Sequence, residues 1–157
     1  MNSDAFPVVF QHDSPEGAPV GEGEWILVAD DDELALQTMR VLLQEHNFCV
    51  VTAHCGAHAL KQYLAHRQKI ALVIIEVFLA DLDGVTVIQL LRLINPEVRV
   101  ITMSGNAQIW PGVEALQADK EHFLGKPFTT RELLWMIRDT LRGPRRSREA
   151  LAPSGFA

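Results

Sequence analysis

The chain has 157 residues, enough for one domain with a sizeable core and too few for two. Hydrophobic content of 48% and charge of 22% are those of a globular domain. The net charge of -6 argues against a general nucleic-acid surface, and no uninterrupted apolar run is long enough to span a membrane.

Residues 1–24 hold five acids, no Lys or Arg, and Pro and Gly at six positions, and read as a flexible lead. The lead has no basic region followed by an apolar core, so a secretory signal is not expected. Trp25–Ala29 is the first strand, apolar throughout, and runs into Asp30-Asp31-Asp32. A helix follows from Glu33 to Glu45, with Asp32 as N-cap and Leu36, Met39 or Arg40, and Leu43 facing the core. Phe48–Ala53 is the second strand. Gly56–His66 is the second helix, with Ala57, Leu60 and Leu64 on its core side. Ile70–Glu76 is the third strand, an unbroken apolar run ending in one carboxylate, as expected for a strand buried on both faces. Val85–Ile94 is the third helix, ended by Asn95-Pro96. Val98–Met103 is the fourth strand, leading to Ser104-Gly105. A short helix is expected over Val113–Ala118, and a short fifth strand over His122–Gly125. Lys126-Pro127-Phe128 turns the chain, and Thr129 or Thr130 caps a last helix through Leu141. The basic stretch 143–157 reads as a flexible tail.

Strand and helix alternate five times. That order predicts an α/β domain over 25–142 with a parallel sheet and right-handed crossovers. A parallel sheet brings Asp30, Asp31, Glu76, Ser104 and Lys126 to its C-terminal edge, where open α/β sheets place their sites. Clustered carboxylates raise one another's pKa unless a cation intervenes. Mg²⁺ suits such oxygens, a Lys balances charge or holds a phosphoryl oxygen, and a Ser hydroxyl donates to the same oxygen.

The motifs Ile-Leu-Val-Ala-Asp-Asp-Asp at 26–32, Asp81-Leu82-Asp83-Gly84, Met103-Ser104-Gly105 and Phe123-Leu124-Gly125-Lys126-Pro127-Phe128 stand in order at these strand ends. The chain from Trp25 to Arg142 thereby resembles the receiver domain of two-component response regulators. The resemblance implies a flavodoxin-like (βα)5 domain, strand order 2-1-3-4-5, and a phosphoryl group passed from a histidine kinase to an aspartate ending the third strand. It implies that Asp30, Asp31 and the backbone carbonyl of Phe78 hold Mg²⁺. Ser104 then follows the phosphoryl group, Phe123 is the aromatic switch, Lys126 is the conserved-type lysine, and the Lys126-Pro127 bond is cis.

One position departs from the family. The phospho-acceptor position, which also borders the metal site, holds Glu76 rather than Asp, and Leu79-Ala80 replaces the usual Met-Pro. The extra methylene moves the carboxylate by about 1.5 Å. Phosphoryl transfer depends on positioning, and an error near 1 Å costs about a hundredfold. Positioning therefore favours a pseudo-receiver that works by protein–protein interaction over a receiver still phosphorylated on Glu76 or a nearby Asp such as Asp30. No enzymatic activity of its own is expected. A Mg²⁺-dependent phosphohydrolase and a small-ligand flavodoxin-like domain are alternatives. The first lacks length for a cap domain, and the second lacks a Gly-rich first loop.

The expected partners are a histidine kinase or a downstream signalling protein, with homodimerisation as a further arrangement and no nucleic acid or membrane. Trp110 and Trp135 are candidate anchors or core residues. Cys49 and Cys55 read as free thiols of a reducing cytoplasm. His54 and His58 have metal-chelating spacing, but no further ligands cluster in sequence, and a solvated helix start is preferred.

Overall fold

The computed structural model describes residues 17–105 and 122–144. Five parallel strands form one sheet: β1 (Trp25–Ala29), β2 (Cys49–Ala53), β3 (Ile70–Glu76), β4 (Val100–Ser104) and β5 (Phe123–Gly125). Their order is β2-β1-β3-β4-β5, as the resemblance implied. The described helices are α1 (Glu33–Glu45), α2 (Gly56–His66), α3 (Gly84–Ile94) and α4 (Thr130–Arg142). The helix expected over 113–118 lies outside the described residues.

The sheet divides two apolar layers by strand parity. Ile26 and Val28 of β1 and Leu72 and Ile74 of β3 pack with Leu36, Met39 and Leu43 of α1 and Leu133, Leu134 and Ile137 of α4. Leu27, Ala29, Val73 and Ile75 face the other way, onto Ala59 and Tyr63 of α2 and Val87, Ile88 and Leu91 of α3. β3 is central, and its residues from Leu72 to Glu76 are all buried. This is why it lacks the polar alternation of a half-exposed strand.

Local chemistry sets the helix starts. The Asp32 side chain accepts from the backbone N–H groups of Leu34 and Ala35. Thr129 and Glu132 form a reciprocal capping box at α4. Asp83 accepts from the N–H of Thr86, so α3 starts at Gly84, one residue before the expected point. The fourth strand starts at Val100 rather than Val98, because the Val98 N–H is held by the Asn95 carbonyl in a turn.

The core face of α2 differs from the expected one. In α2 the core face is Ala59 and Tyr63, while Leu60 is half-buried and Ala57 and Leu64 are exposed. Tyr63 fixes that phase by burying its ring and accepting a hydrogen bond from Asn95 Nδ2. In α1 the position shared between Met39 and Arg40 belongs to Met39, with Arg40 exposed. The end of the N-terminal lead is also tied to the domain. Gly21 N–H donates to the His46 carbonyl, Gly23 N–H to that of Asn47, and Asn47 Nδ2 to the Gly21 carbonyl.

Gly84 packs directly beneath the functional edge. A Cβ there would lie 2.5 Å from the backbone oxygen of Glu76 and 2.9 Å from Val77 Cα. Gly84→Ala is expected to cost about 1–3 kcal/mol through overpacking. A lowered urea midpoint with an unchanged denaturant slope checks this.

Candidate functional site

Register assembles the site. Ala29 pairs with Ile75 in the β1–β3 ladder, so the next residues, Asp30 and Glu76, leave the sheet side by side. Asp30 shares the parity of Ile26 and Val28, and Glu76 that of Leu72 and Ile74, so both carboxylates emerge on one side of the sheet. Glu76 pairs with Met103, and Ser104 with Gly125. The Lys126 N–H donates to the Ser104 carbonyl at 2.9 Å, which fixes Lys126 just beyond β5. The Lys126-Pro127 peptide is cis.

The Lys126 ammonium lies 2.8 Å from Asp30 Oδ2 and 2.7 Å from Glu76 Oε2. The other oxygens of the two acids are also engaged. The Asp32 N–H donates to Asp30 Oδ1 at 3.0 Å, and the Phe78 N–H to Glu76 Oε1 at 3.2 Å. Asp30 and Glu76 are buried, with side chains 4% and 7% exposed, whereas the Lys126 side chain is 20% exposed. One cation therefore holds two buried anions, which are costly to desolvate unless paired.

The site retains an excess of negative charge. Burial pushes the Glu76 carboxyl above the usual glutamate range, and the opposing pull of Lys126 does not cancel it. Burial and the Asp30 charge raise Asp31. Burial works against the Lys126 ammonium, but Asp30 and Glu76 outweigh it and hold Lys126 above the usual lysine range.

The residues named from sequence separate into groups. Asp30, Glu76 and Lys126 form one ion-paired cluster. Asp31 is exposed beside it, and Phe78 is exposed on the loop after β3. Ser104 is 1% exposed at the end of β4, and Phe123 is half-buried in β5. Trp135 is half-buried, with the Arg138 guanidinium 3.6 Å from its ring centroid. Trp110 lies outside the described residues. Sequence reasoning missed a role for Asp81. Its carboxylate accepts from the Gly56 and Ala57 N–H groups at 2.7 and 2.9 Å, tying the β3–α3 loop to the start of α2. An acid two residues before the Asp83 N-cap carries no sequence signal for a second, remote cap.

The profile of the family described as "Response regulator receiver domain" matches residues 26–138. The chain belongs to this family. The transcriptional regulatory protein PrrA of Mycobacterium tuberculosis is 32% identical over 117 residues, which cover 74% of this chain and 49% of PrrA. The response regulator MprA of Mycobacterium ulcerans is 30% identical, covering 74% of this chain and 50% of MprA. The chain thus spans about half the length of the curated relatives it matches. Among solved structures, a response regulator receiver domain protein from Clostridium thermocellum aligns with a TM-score of 0.65 and 28% identity, over 75% of this chain and 94% of that one. The signal receiver domain of an HD domain-containing protein from Pseudomonas fluorescens aligns equally well, over 76% and 94%.

Receivers generally bind Mg²⁺ at the phosphorylation site. The donors here fit a hard cation in type: Asp30 and Asp31 are adjacent carboxylates in a site of excess negative charge, and Mg²⁺ needs only one or two such side chains plus water. Glu76 and Asp30 are both paired with Lys126, so a cation would share Asp30 with the ammonium, and no cluster of three or more acidic, His or Cys ligands occurs among the described residues. Among the described residues no helix is long and apolar enough to cross a membrane.

Removing the shared cation is the direct test of this electrostatic arrangement. A group with a raised folded pKa contributes stability that is full below its unfolded pKa and fades as pH rises through the folded value. The Lys126 contribution is therefore complete at neutral pH. Lys126→Met is expected to lose about 3–5 kcal/mol at pH 7, because two buried carboxylates lose their partner. Part of that loss returns as pH falls and Glu76 takes a proton. Denaturant unfolding at pH 7 and pH 5 measures both effects.

Proposed function

We propose that this receiver acts as a phosphorylation-independent binding module of two-component signalling. The contact of Glu76 Oε2 with Lys126 Nζ at 2.7 Å carries the reading. Phosphoryl transfer to a receiver depends on the acceptor oxygen being placed to within about 1 Å. Here the glutamate carries its charge one methylene further and meets that lysine itself. The lysine is held at the same time by Asp30.

Asp30, Asp31 and the Phe78 carbonyl would hold Mg²⁺, which when bound would neutralise acid charge at the strand edge. The chain's own residues do the rest. Lys126 anchors β5 to β1 and β3 through the two carboxylates, and Glu76 draws in the Phe78 N–H, setting the start of the β3–α3 loop. The surface around that edge is thereby held in one arrangement without a phosphoryl group. A single carboxylate brings less charge and fewer acceptor oxygens than a phosphoryl group, so the pairing fixes an arrangement of its own and does not copy the phosphorylated one. The partner is a histidine kinase or a downstream signalling protein, engaged by binding and not by catalysis.

The test is phosphoryl incorporation from a small-molecule acyl phosphate with Mg²⁺, read by intact mass and peptide mapping. Wild type is expected to incorporate at least about a hundredfold less than Glu76→Asp. Equal incorporation in the two proteins, on Glu76 or on Asp30, would overturn the reading.

A further inference from the structure

The β2–α2 junction carries a pair of imidazoles that the acidic site does not use. His54 is the first residue of the loop after β2, and His58 lies in the first turn of α2. Their Nδ1 atoms face each other at 2.9 Å, and their ring centroids are 4.6 Å apart with planes at 53°. That centroid distance is shorter than end-on rings would give, so the two nitrogens are aimed off the line joining them. His54 is exposed and His58 half-buried, so solvent reaches the pair.

Gln62 Nε2 lies 3.1 Å from His58 Nε2. The amide N–H donates, so His58 Nε2 accepts, and the His58 proton sits on Nδ1, donated to His54 Nδ1. Burial, then the charges of His54 and Lys61, hold His58 below the usual histidine range, which keeps the ring in the neutral form that metals bind.

We infer that His54 and His58 form a two-imidazole chelate for a divalent transition metal of tetragonal preference, Cu²⁺ or Ni²⁺. The bite angle selects the metal class. With metal–nitrogen bonds of about 2.0–2.1 Å, nitrogens 2.9 Å apart subtend about 90° at the ion. A tetrahedral Zn²⁺ site would set them roughly 3.3 Å apart. A right angle between imidazoles is the geometry of tetragonal Cu²⁺ and Ni²⁺ centres. No third His, Cys, Asp or Glu joins the pair in a cluster among the described residues, so water fills the remaining positions. Binding needs no net proton release. The His58 proton moves from Nδ1 to Nε2, and the Gln62 amide turns its oxygen to accept it, orienting the ring as second-shell groups do. Asp81 holds the N–H groups of Gly56 and Ala57 beside the pair, so an ion there would brace the β3–α3 loop at the far end from Glu76.

Ni²⁺ alone is the probe, since it does not oxidise the free thiols of Cys49 and Cys55. Calorimetry with the full chain is expected to give one site per chain. Amide NMR is expected to show paramagnetic broadening centred on residues 54–62 and reaching Asp81. His54→Asn and His58→Asn should each weaken binding at least about tenfold, because a chelate loses its second arm. Circular dichroism confirms that each variant is folded. Cys55→Ser keeps a good N-cap and should bind as wild type does. Absence of binding, broadening centred on other histidines, equal affinity in the His variants, or loss of binding in Cys55→Ser would each overturn the chelate.

Discussion

The Lys126 ammonium is the contact on which the C-terminal edge of the sheet depends. It comes from beyond β5 and meets carboxylates beyond β1 and β3, so a single charge ties an edge strand to the two central ones. β5 has only three residues and pairs with β4 alone. Burying two carboxylates costs several kcal/mol each unless they are paired, and the pairing is satisfied here down to individual oxygens. The same pairing engages Glu76 Oε2 and Lys126 Nζ, the contact on which the proposed phosphorylation-independent function rests.

Most of the fold was legible because parallel strands covered on both faces are continuous apolar runs. Ile26–Ala29 and Leu72–Ile75 could not be anything polar and remain where they are. Helix starts were legible through the chemistry of Asp32 and Thr129. The phase of α2 was not. Its sequence offers small residues on several sides, and only the tertiary hydrogen bond from Asn95 to Tyr63 shows which side is inward. The attachment of residues 21–23 was likewise hidden, since it runs through backbone groups of His46 and Asn47 and a single side-chain amide, that of Asn47, too little to leave a pattern.

For the site, sequence gave the participants but not their pairings. Strand order, which the family resemblance implied, and strand parity bring Asp30, Glu76 and Lys126 together. The bridging position of Lys126 depends on register across four strands, which no local pattern encodes. Asp31 was expected in the same cluster, yet it lies exposed beside it. Adjacent residues at a strand end point apart, so only one of the two enters the buried pairing. The two histidines illustrate the converse. Their spacing was visible from the start, but the 2.9 Å approach of their nitrogens depends on how the loop after β2 enters α2.

The central claim is that this receiver works without phosphorylation because Glu76 misplaces the acceptor carboxylate and pairs it with Lys126. Titration with beryllium fluoride and Mg²⁺, followed by amide NMR on wild type and Glu76→Asp, tests it most directly. Beryllium fluoride stands in for the phosphoryl group on an acceptor carboxylate. The account predicts shifts around Ser104, Phe123 and Lys126 in Glu76→Asp and none in wild type. An equal response in wild type would contradict it, because the Glu76–Lys126 pair would then yield its oxygens to an incoming phosphoryl-like ligand.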